Sequence, residues 1–490
     1  MRLLFDPKSP ESYRQFIRLK SIPNYRWIGR MADVPDEYAH LLTGNAIIPE
    51  DVDYKPSTFL FDYQSDISKM AIRKRKFAVF ADCGLGKTLI ELEFANHCVR
   101  IGKKTLIVCP LMVIEQTIEE ARKFYPNMKI AAIKASDLQQ WLNDPSSDEI
   151  GITNFEAIRD GLTQGSLGSL LIDESSMLKS HYGAWGTRLI ELGKGLEWKA
   201  CFTGTPAPND QIEYANHSVF LDHTKTVNEF LARYFINRGQ TDNRWELKKH
   251  AIEPFYRDLS HWCIFLTNPA TYGWKDNCGT IPPIVVHIHQ IELTDQQRRL
   301  AQDATGDLFA NNVGGIGMRS KLSQIAKGKG GIATNKPDYI RNLVESWPEE
   351  STIIWCRFND EQSLMEREFP AAASIDGATP HEDRVRMIEE FKIGNVKQLI
   401  SKAKILGFGL NLQIATRHVF SGLQDSYEEY WQCIKRSNRI GSDRELNVHI
   451  PVTELEEPMI ANVLRKAKRV QQDTEEQERI FRKNSQVLDC

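Results

Sequence analysis

The feature that most limits this fold is an alternation of short apolar runs with longer stretches of helical period. From about residue 51 the runs are FAVFA (77–81), TLIVCP (105–110), EIGITN (149–154), SLLIDE (169–174) and KACFTG (199–204), separated by segments such as TLIELEFANHCV. A strand buried on both faces reads as a continuous Val/Ile/Phe-rich run, and its parallel neighbour is reached through a crossover helix. The pattern therefore predicts an α/β fold built on a doubly wound parallel sheet.

An aromatic, helix-rich stretch at about 211–266 and a break at TNPATYGWKDNCGTIPP interrupt the alternation. It then resumes with VVHIHQIEL (285–293), STIIWC (351–356), SIDGAT (374–379), QLISKA (398–403), RHVFSG (417–422) and LNVHIPV (446–452). A second sheet of the same kind follows, with a cleft expected between the two. At 490 residues, about 150 residues per domain gives two or three domains. The expected division is an N-terminal extension over 1–50 and a first domain over 51–268, with a helical insertion after about 211. A linker and second domain occupy 269–455, and a charged helix occupies 456–490.

Lys+Arg of 62 against Asp+Glu of 65 leaves a net charge of −3, so any polyanion site has to be local. No run of about 18 apolar residues occurs, and Met1 to Asp6 lacks the apolar stretch of a signal peptide, so a soluble, cytoplasmic protein with no membrane partner is expected. The nine cysteines are scattered and form no C-x-x-C pair, which disfavours a disulfide framework and a zinc ribbon. His261, His287 and His289 with Cys263 and Cys278 match no common zinc spacing, so no zinc is expected. The alternating His287 and His289 fit the outward side of a strand. Residues 1–50 suggest no role.

Asp82-Cys83-Gly84-Leu85-Gly86-Lys87-Thr88 joins the FAVFA run to an apolar helix. Backbone N–H groups in such a turn, the helix dipole, a lysine for the β- and γ-phosphates and a threonine hydroxyl for Mg²⁺ make a nucleoside triphosphate cradle. The usual first glycine of G-x-x-x-x-G-K-[ST] is Ala81 here. Asp173 and Glu174 end the SLLIDE run about 85 residues later. Phosphoryl transfer to water needs one acid in the Mg²⁺ shell and one to orient the nucleophile. Thr203-Gly204-Thr205-Pro206 ends another run, where hydroxyls and a fixed turn can sense the γ-phosphate. Gln432, Arg436 and Arg439 are expected at i, i+4 and i+7 of a helix over Gln432 to Gly441. Such a face can point two guanidinium groups across the cleft, stabilising phosphoryl charge when the domains close.

In this order the motifs resemble those of superfamily-two helicases, and within them the Swi/Snf-type ATPases, over about residues 55–455. ADCGLGKT, TLIVCPLMVIEQTIEEARKF, LIDESSMLKS, TGTPAPND, IDGATPHEDRVRMIEEF, Gly407 to Leu412 and Gln432 to Gly441 carry the likeness. Cys83 stands where the family commonly has Met, Ser176 where it has His, and Thr117 where it has Trp. The compact form looks most like bacterial or bacteriophage members. The resemblance implies two tandem RecA-like domains using ATP and Mg²⁺, with Tyr63 and Gln64 reading adenine. It places the nucleotide on Gly84, Leu85, Gly86, Lys87, Thr88 and Gln432, and Mg²⁺ on Thr88 and Asp173. Thr203, Gly204, Thr205 and Gly409 would sense or couple hydrolysis. It further implies movement along double-stranded DNA in replication, recombination or repair, with proteins of those processes as partners. Backbone contacts are assigned by position to Pro110, Leu111, Thr153, Asn154, Lys179, Lys402 and Asn411. Rival readings are a strand-separating DNA or RNA helicase, a remodeler that displaces bound proteins, and an ATP-gated interaction module without catalysis.

Overall fold

The computed structural model describes residues 2–484 except 21, 23, 24, 35–41, 43–52, 147, 148, 179–183, 209, 240–244, 276–280, 312–314, 407–409, 424, 425 and 440. The chain divides into two compact units, residues 1–277 with 472–490 and residues 278–471.

The first unit is built on a seven-stranded sheet whose strand pairs are all parallel. Across it run Cys263–Leu266, Lys76–Ala81, Trp198–Thr203, Leu167–Asp173, Lys104–Cys109, Ile150–Asn154 and Ile130–Ala132. Lys104–Cys109 and Trp198–Thr203 are buried at every position, which is why they read as unbroken apolar runs. The stretch expected to be helical to residue 266 ends instead in the edge strand Cys263–Leu266, paired along Ala78–Ala81. It also holds an antiparallel pair, Phe235–Asn237 with Trp245–Leu247, among its helices. The last helix, Glu457–Asn484, is anchored within this unit at its end: Gln477 Nε2 donates to Tyr214 Oη at 2.9 Å, and Thr267 N donates to Glu478 Oε1 at 2.9 Å.

Residues 2–34 form a module of their own. Arg2–Leu4, Met31–Asp33 and Arg26–Ile28 make an antiparallel sheet under the helix Pro10–Leu19. Pro10 starts that helix and the Ser9 hydroxyl accepts from Ser12 N at 3.3 Å, a side-chain N-cap. Leu19, Ile22, Ala32 and Val34 are its buried core.

The second unit carries a six-stranded, all-parallel sheet in the order Ile284–Gln290, Leu446–Val452, Arg417–Phe420, Thr352–Cys356, Gln398–Lys402, Ala373–Ser374. Ile353, Trp355, Leu399 and Val448 pack on one face and Ile354, Ile400 and Val419 on the other, so both faces are covered. The SIDGAT run shrinks to two strand residues because Asp376 turns the chain, its Oδ1 accepting from Ala378 N at 3.0 Å and Thr379 N at 2.9 Å.

His287 and His289 do not take the solvent side of their strand. Val286 and Ile288 do, at 38% and 48% exposed. The two imidazoles stack on His449 with ring centroids 4.7 and 5.3 Å away, and His449 stacks on Trp347 at 4.6 Å. Among the described residues no helix is long and apolar enough to cross a membrane.

Candidate active site

In a parallel sheet all strands end along one edge, with neighbours about 4.8 Å apart. Phe80 is paired with Thr203, and Phe202 with Asp173. The turn after Ala81, the Thr203–Gly204 turn and the Asp173–Glu174 pair therefore stand side by side, where α/β folds bind ligands.

The glycine turn needs two left-handed residues, Gly84 (φ 89°) and Gly86 (φ 66°), and Gly86 starts the helix Lys87–Arg100. A Cβ on Gly86 would run into the Gln64 amide. The turn is braced from behind: Tyr63 Oη and Gln64 Nε2 donate to the Leu85 carbonyl at 3.1 and 3.3 Å, and Gln64 Oε1 accepts from Phe61 N at 3.0 Å. Both ends of the Gln64 amide thus hold the chain, and each keeps a further donor or acceptor position. Lys87 Nζ donates to the carbonyls of Ala81 at 2.8 Å and Asp82 at 3.2 Å, holding its ammonium over the turn. A Cβ on Gly204 would lie 3.4 Å from the Ala81 oxygen and 3.7 Å from Lys87 Nζ, so the threonine turn approaches the lysine closely.

Glu174 is one of three non-glycine residues at positive φ among the described residues, at 52°. Such strain concentrates at functional positions. Glu174 N donates to Asp173 Oδ1 at 2.9 Å, while Glu174 Oε1 accepts from Thr203 Oγ1 and Ser176 Oγ, both at 3.1 Å. Thr203 Oγ1 in turn accepts from Thr205 N at 3.1 Å. The expected sensor is therefore wired directly to the expected water-orienting acid. Asp173 is pushed up to about 6 by loss of hydration and by the neighbouring Glu174, against the pull of Lys87.

Two groups in this unit were not visible to sequence reasoning. Glu91, one turn past Lys87, is 1% exposed with both carboxylate oxygens lacking a hydrogen-bond partner. Burial, then Asp173 and Glu120, raise its affinity for a proton. His217 is fully buried beneath the acidic pair, with Nδ1–H donating to the Glu213 carbonyl at 3.3 Å and Nε2 accepting from the Ser175 hydroxyl at 3.1 Å. Burial lowers His217 to about 4.

Of the expected nucleic-acid contacts on this unit, Leu111 is 62% exposed and Pro110 and Asn154 are partly exposed. Asn154 Oδ1 accepts from Ala157 N at 3.0 Å. Thr153 is 1% exposed and gives its hydroxyl to the Ile133 carbonyl at 2.8 Å, inside the sheet rather than at its surface. Lys179 lies outside the described residues, as does Gly409 of the second unit.

In the second unit the helix Tyr427–Ile434 ends before the arginines, so Gln432, Arg436 and Arg439 do not share one helical face. The short polar side chains that follow bond to the core instead of continuing the helix. Ser437 Oγ donates to the Leu412 carbonyl at 2.8 Å and accepts from the buried His418 Nε2 at 2.8 Å, and Asn438 Nδ2 donates to the Pro282 carbonyl at 2.7 Å. Arg436 is 8% exposed, with Nε donating to the Gln432 carbonyl at 3.1 Å. Arg439 is less buried and hydrogen-bonds Asn411 Oδ1. Lys402 hydrogen-bonds Asn359 Oδ1. Sequence spacing missed His418 and Ser437, whose contact joins positions far apart in the chain.

The SNF2-related domain pattern matches residues 73–340, and the helicase conserved C-terminal domain pattern matches residues 335–441. A mouse DNA annealing helicase and endonuclease, ZRANB3, is 23% identical over 81% of this chain and 38% of its own length. A putative ATP-dependent helicase/translocase of Bacillus subtilis, YwqA, is 23% identical over 76% of this chain and 43% of its own. The chain thus spans about two-fifths of the length of these relatives. Among solved structures, the Sulfolobus solfataricus SWI2/SNF2 ATPase core in complex with dsDNA aligns at a TM-score of 0.42 and 20% identity, over 82% of this chain and 90% of that one. With the SNF2-related pattern covering more than half of its residues, the chain belongs to the SNF2-related family.

Proposed function

We propose that this protein is an ATP hydrolase whose turnover is stimulated by double-stranded DNA and drives movement along the duplex. The observation that carries the reading is the row at the edge of the first sheet: the Lys87 turn, the Thr203–Gly204 turn and the Asp173–Glu174 pair, joined by the Thr203 to Glu174 hydrogen bond. The left-handed backbone at Gly84 and Gly86, the Gln64 amide that leaves no room for a Cβ on Gly86, and the close approach of Gly204 to Lys87 fit a turn that cradles a phosphate chain. Bound ATP would lie on residues 84–88, and Mg²⁺, held by Thr88 and Asp173, would neutralise developing phosphate charge. Lys87 exchanges backbone carbonyls for phosphate oxygens. Glu174, held by Thr203 and Ser176, orients the attacking water and takes its proton. Arg436 and Arg439 are assigned to the transferred phosphoryl charge, and Gln432 to the nucleotide, from the family order of motifs.

Backbone contacts with DNA are assigned to Leu111 with Pro110, Asn154, Lys402 and Asn411. Thr153 shapes that surface from within, and Lys179 and Gly409 keep the roles their motifs imply. The Bacillus subtilis relative, a putative ATP-dependent helicase/translocase, supports an enzyme of bacterial or bacteriophage type, to which we assign the cytoplasm and replication or repair proteins as partners. ATP hydrolysis measured side by side with duplex DNA, single-stranded DNA and RNA, across salt, tests the reading. Duplex stimulation that falls steeply with salt is expected. Equal turnover with and without every polymer contradicts it.

A further inference from the structure

The small module of residues 2–34 takes no part in the chemistry above, yet its surface is aromatic and cationic. Tyr13, on its helix, is 65% exposed, and Trp27, on an edge strand, is 40% exposed. Phe16 links them, with its ring centroid 6.3 Å from Tyr13 and 5.8 Å from Trp27, and Phe5 lies 5.1 Å from Trp27. Leu4 and Ile17 are also exposed, at 71% and 51%. Apolar surface gathered in this way on so small a module marks a contact site. Its charge says for what: residues 2–34 carry seven Lys/Arg against three Asp/Glu, within a chain of net charge −3. Arg14 and Lys20 are exposed on or just past the helix, and the Lys20 ammonium stands 5.2 Å over the Phe16 ring. A polyanion that also offers flat π-faces satisfies both features. Duplex DNA hides its base faces in its own stack, whereas an unpaired strand presents them.

We propose that residues 2–34 form a stacking platform for single-stranded DNA, with bases laid on Tyr13 and Trp27 and the backbone passing Arg14 and Lys20. The choice of DNA rests on the duplex-DNA motor reading, while the stacking and the charge do not. The platform would hold an unpaired stretch next to the duplex on which the motor works.

The test is nucleotide-free binding of fluorescein-labelled oligothymidylate to the full chain, read by anisotropy. Tyr13→Ala and Trp27→Ala should each weaken binding about tenfold. Arg14→Ala with Lys20→Ala, at exposed positions whose loss leaves the module's core untouched, should make the salt dependence shallower by about 1.4 in log–log slope. ATP turnover stimulated by duplex DNA should stay within about twofold of wild type in all of these variants. Wild-type affinity in both ring variants together with an unchanged salt slope would overturn the proposal, as would ring-dependent binding to phosphatidylserine vesicles in place of the oligonucleotide. Equally tight, ring-dependent binding of oligouridylate would overturn the assignment to DNA. If duplex DNA fails to stimulate the wild type while the ring variants still lose oligothymidylate, the motor reading falls and the platform stands.

Discussion

Acidification should weaken the first unit through His217, because burial disfavours the charged form of that ring. The imidazole is 0% exposed, and both nitrogens are used, one donating to Glu213 and one accepting from Ser175. Burial lowers it from an ordinary 6.5 to about 4. Between those values the unfolded chain holds the proton and the folded chain does not, so stability rises with pH across the window and is lost as pH falls through it. One pH unit inside the window is worth about 1.4 kcal/mol, which gives a loss of about 2 kcal/mol on going from pH 7 to pH 5. Other groups titrate in the same range, so the comparison is with His217→Gln, whose amide can still take the Ser175 hydroxyl but carries no titration. Urea denaturation of both proteins at pH 7 and pH 5 should show wild type losing about 2 kcal/mol more than the variant. Equal losses would refute the assignment of the proton to His217.

Thr203→Val removes a hydroxyl that donates to Glu174 and accepts from Thr205. Steady-state kinetics should show kcat reduced about tenfold with KM little changed, as for a group acting on the nucleophile-orienting acid. Gly86→Ala places a side chain at φ 66° against the Gln64 amide, and thermal denaturation should register about 1–3 kcal/mol of destabilisation together with lost nucleotide binding. In the second unit, Glu456 is 3% exposed and ion-paired with Lys336 at 2.6 Å and Lys327 at 3.7 Å, both lysines buried. Glu456→Gln removes the carboxylate paired with two buried ammonium groups, leaving only the more distant Glu361 to act on Lys327, and denaturant titration should find a loss of about 3 kcal/mol.

The two sheets were legible because a strand buried on both faces cannot hide its composition: the Lys104–Cys109 and Thr352–Cys356 strands are buried throughout. The glycine turn, the acidic pair and the threonine turn were legible for a related reason, since each follows such a run directly. Short edge strands were not. Ile130–Ala132 and Cys263–Leu266 are three and four residues long, below the length at which a period can be read. The N-terminal module escaped for the same reason, its three strands having three residues each. The helix expected over Gln432 to Gly441 failed because Ser437 and Asn438 found better partners in Leu412, His418 and Pro282 than a further helical turn. The contacts that brace the candidate site, Thr203 to Glu174 and His217 to Ser175, join residues 29 and 42 positions apart, and spacing along the chain carries no trace of them. His287 and His289 reversed the usual sidedness because stacking on His449 outweighs the solvation of two imidazoles.

In the function proposed here Glu174, set in a left-handed backbone and held by Thr203 and Ser176, drives the hydrolytic step at the Lys87 turn. Phosphate release and fluorescent ATP-analogue binding measured together in Glu174→Gln, with duplex DNA present, test it most directly. Turnover should fall at least about a hundredfold while nucleotide affinity stays within a few-fold of wild type. Undiminished turnover in that variant would contradict the account.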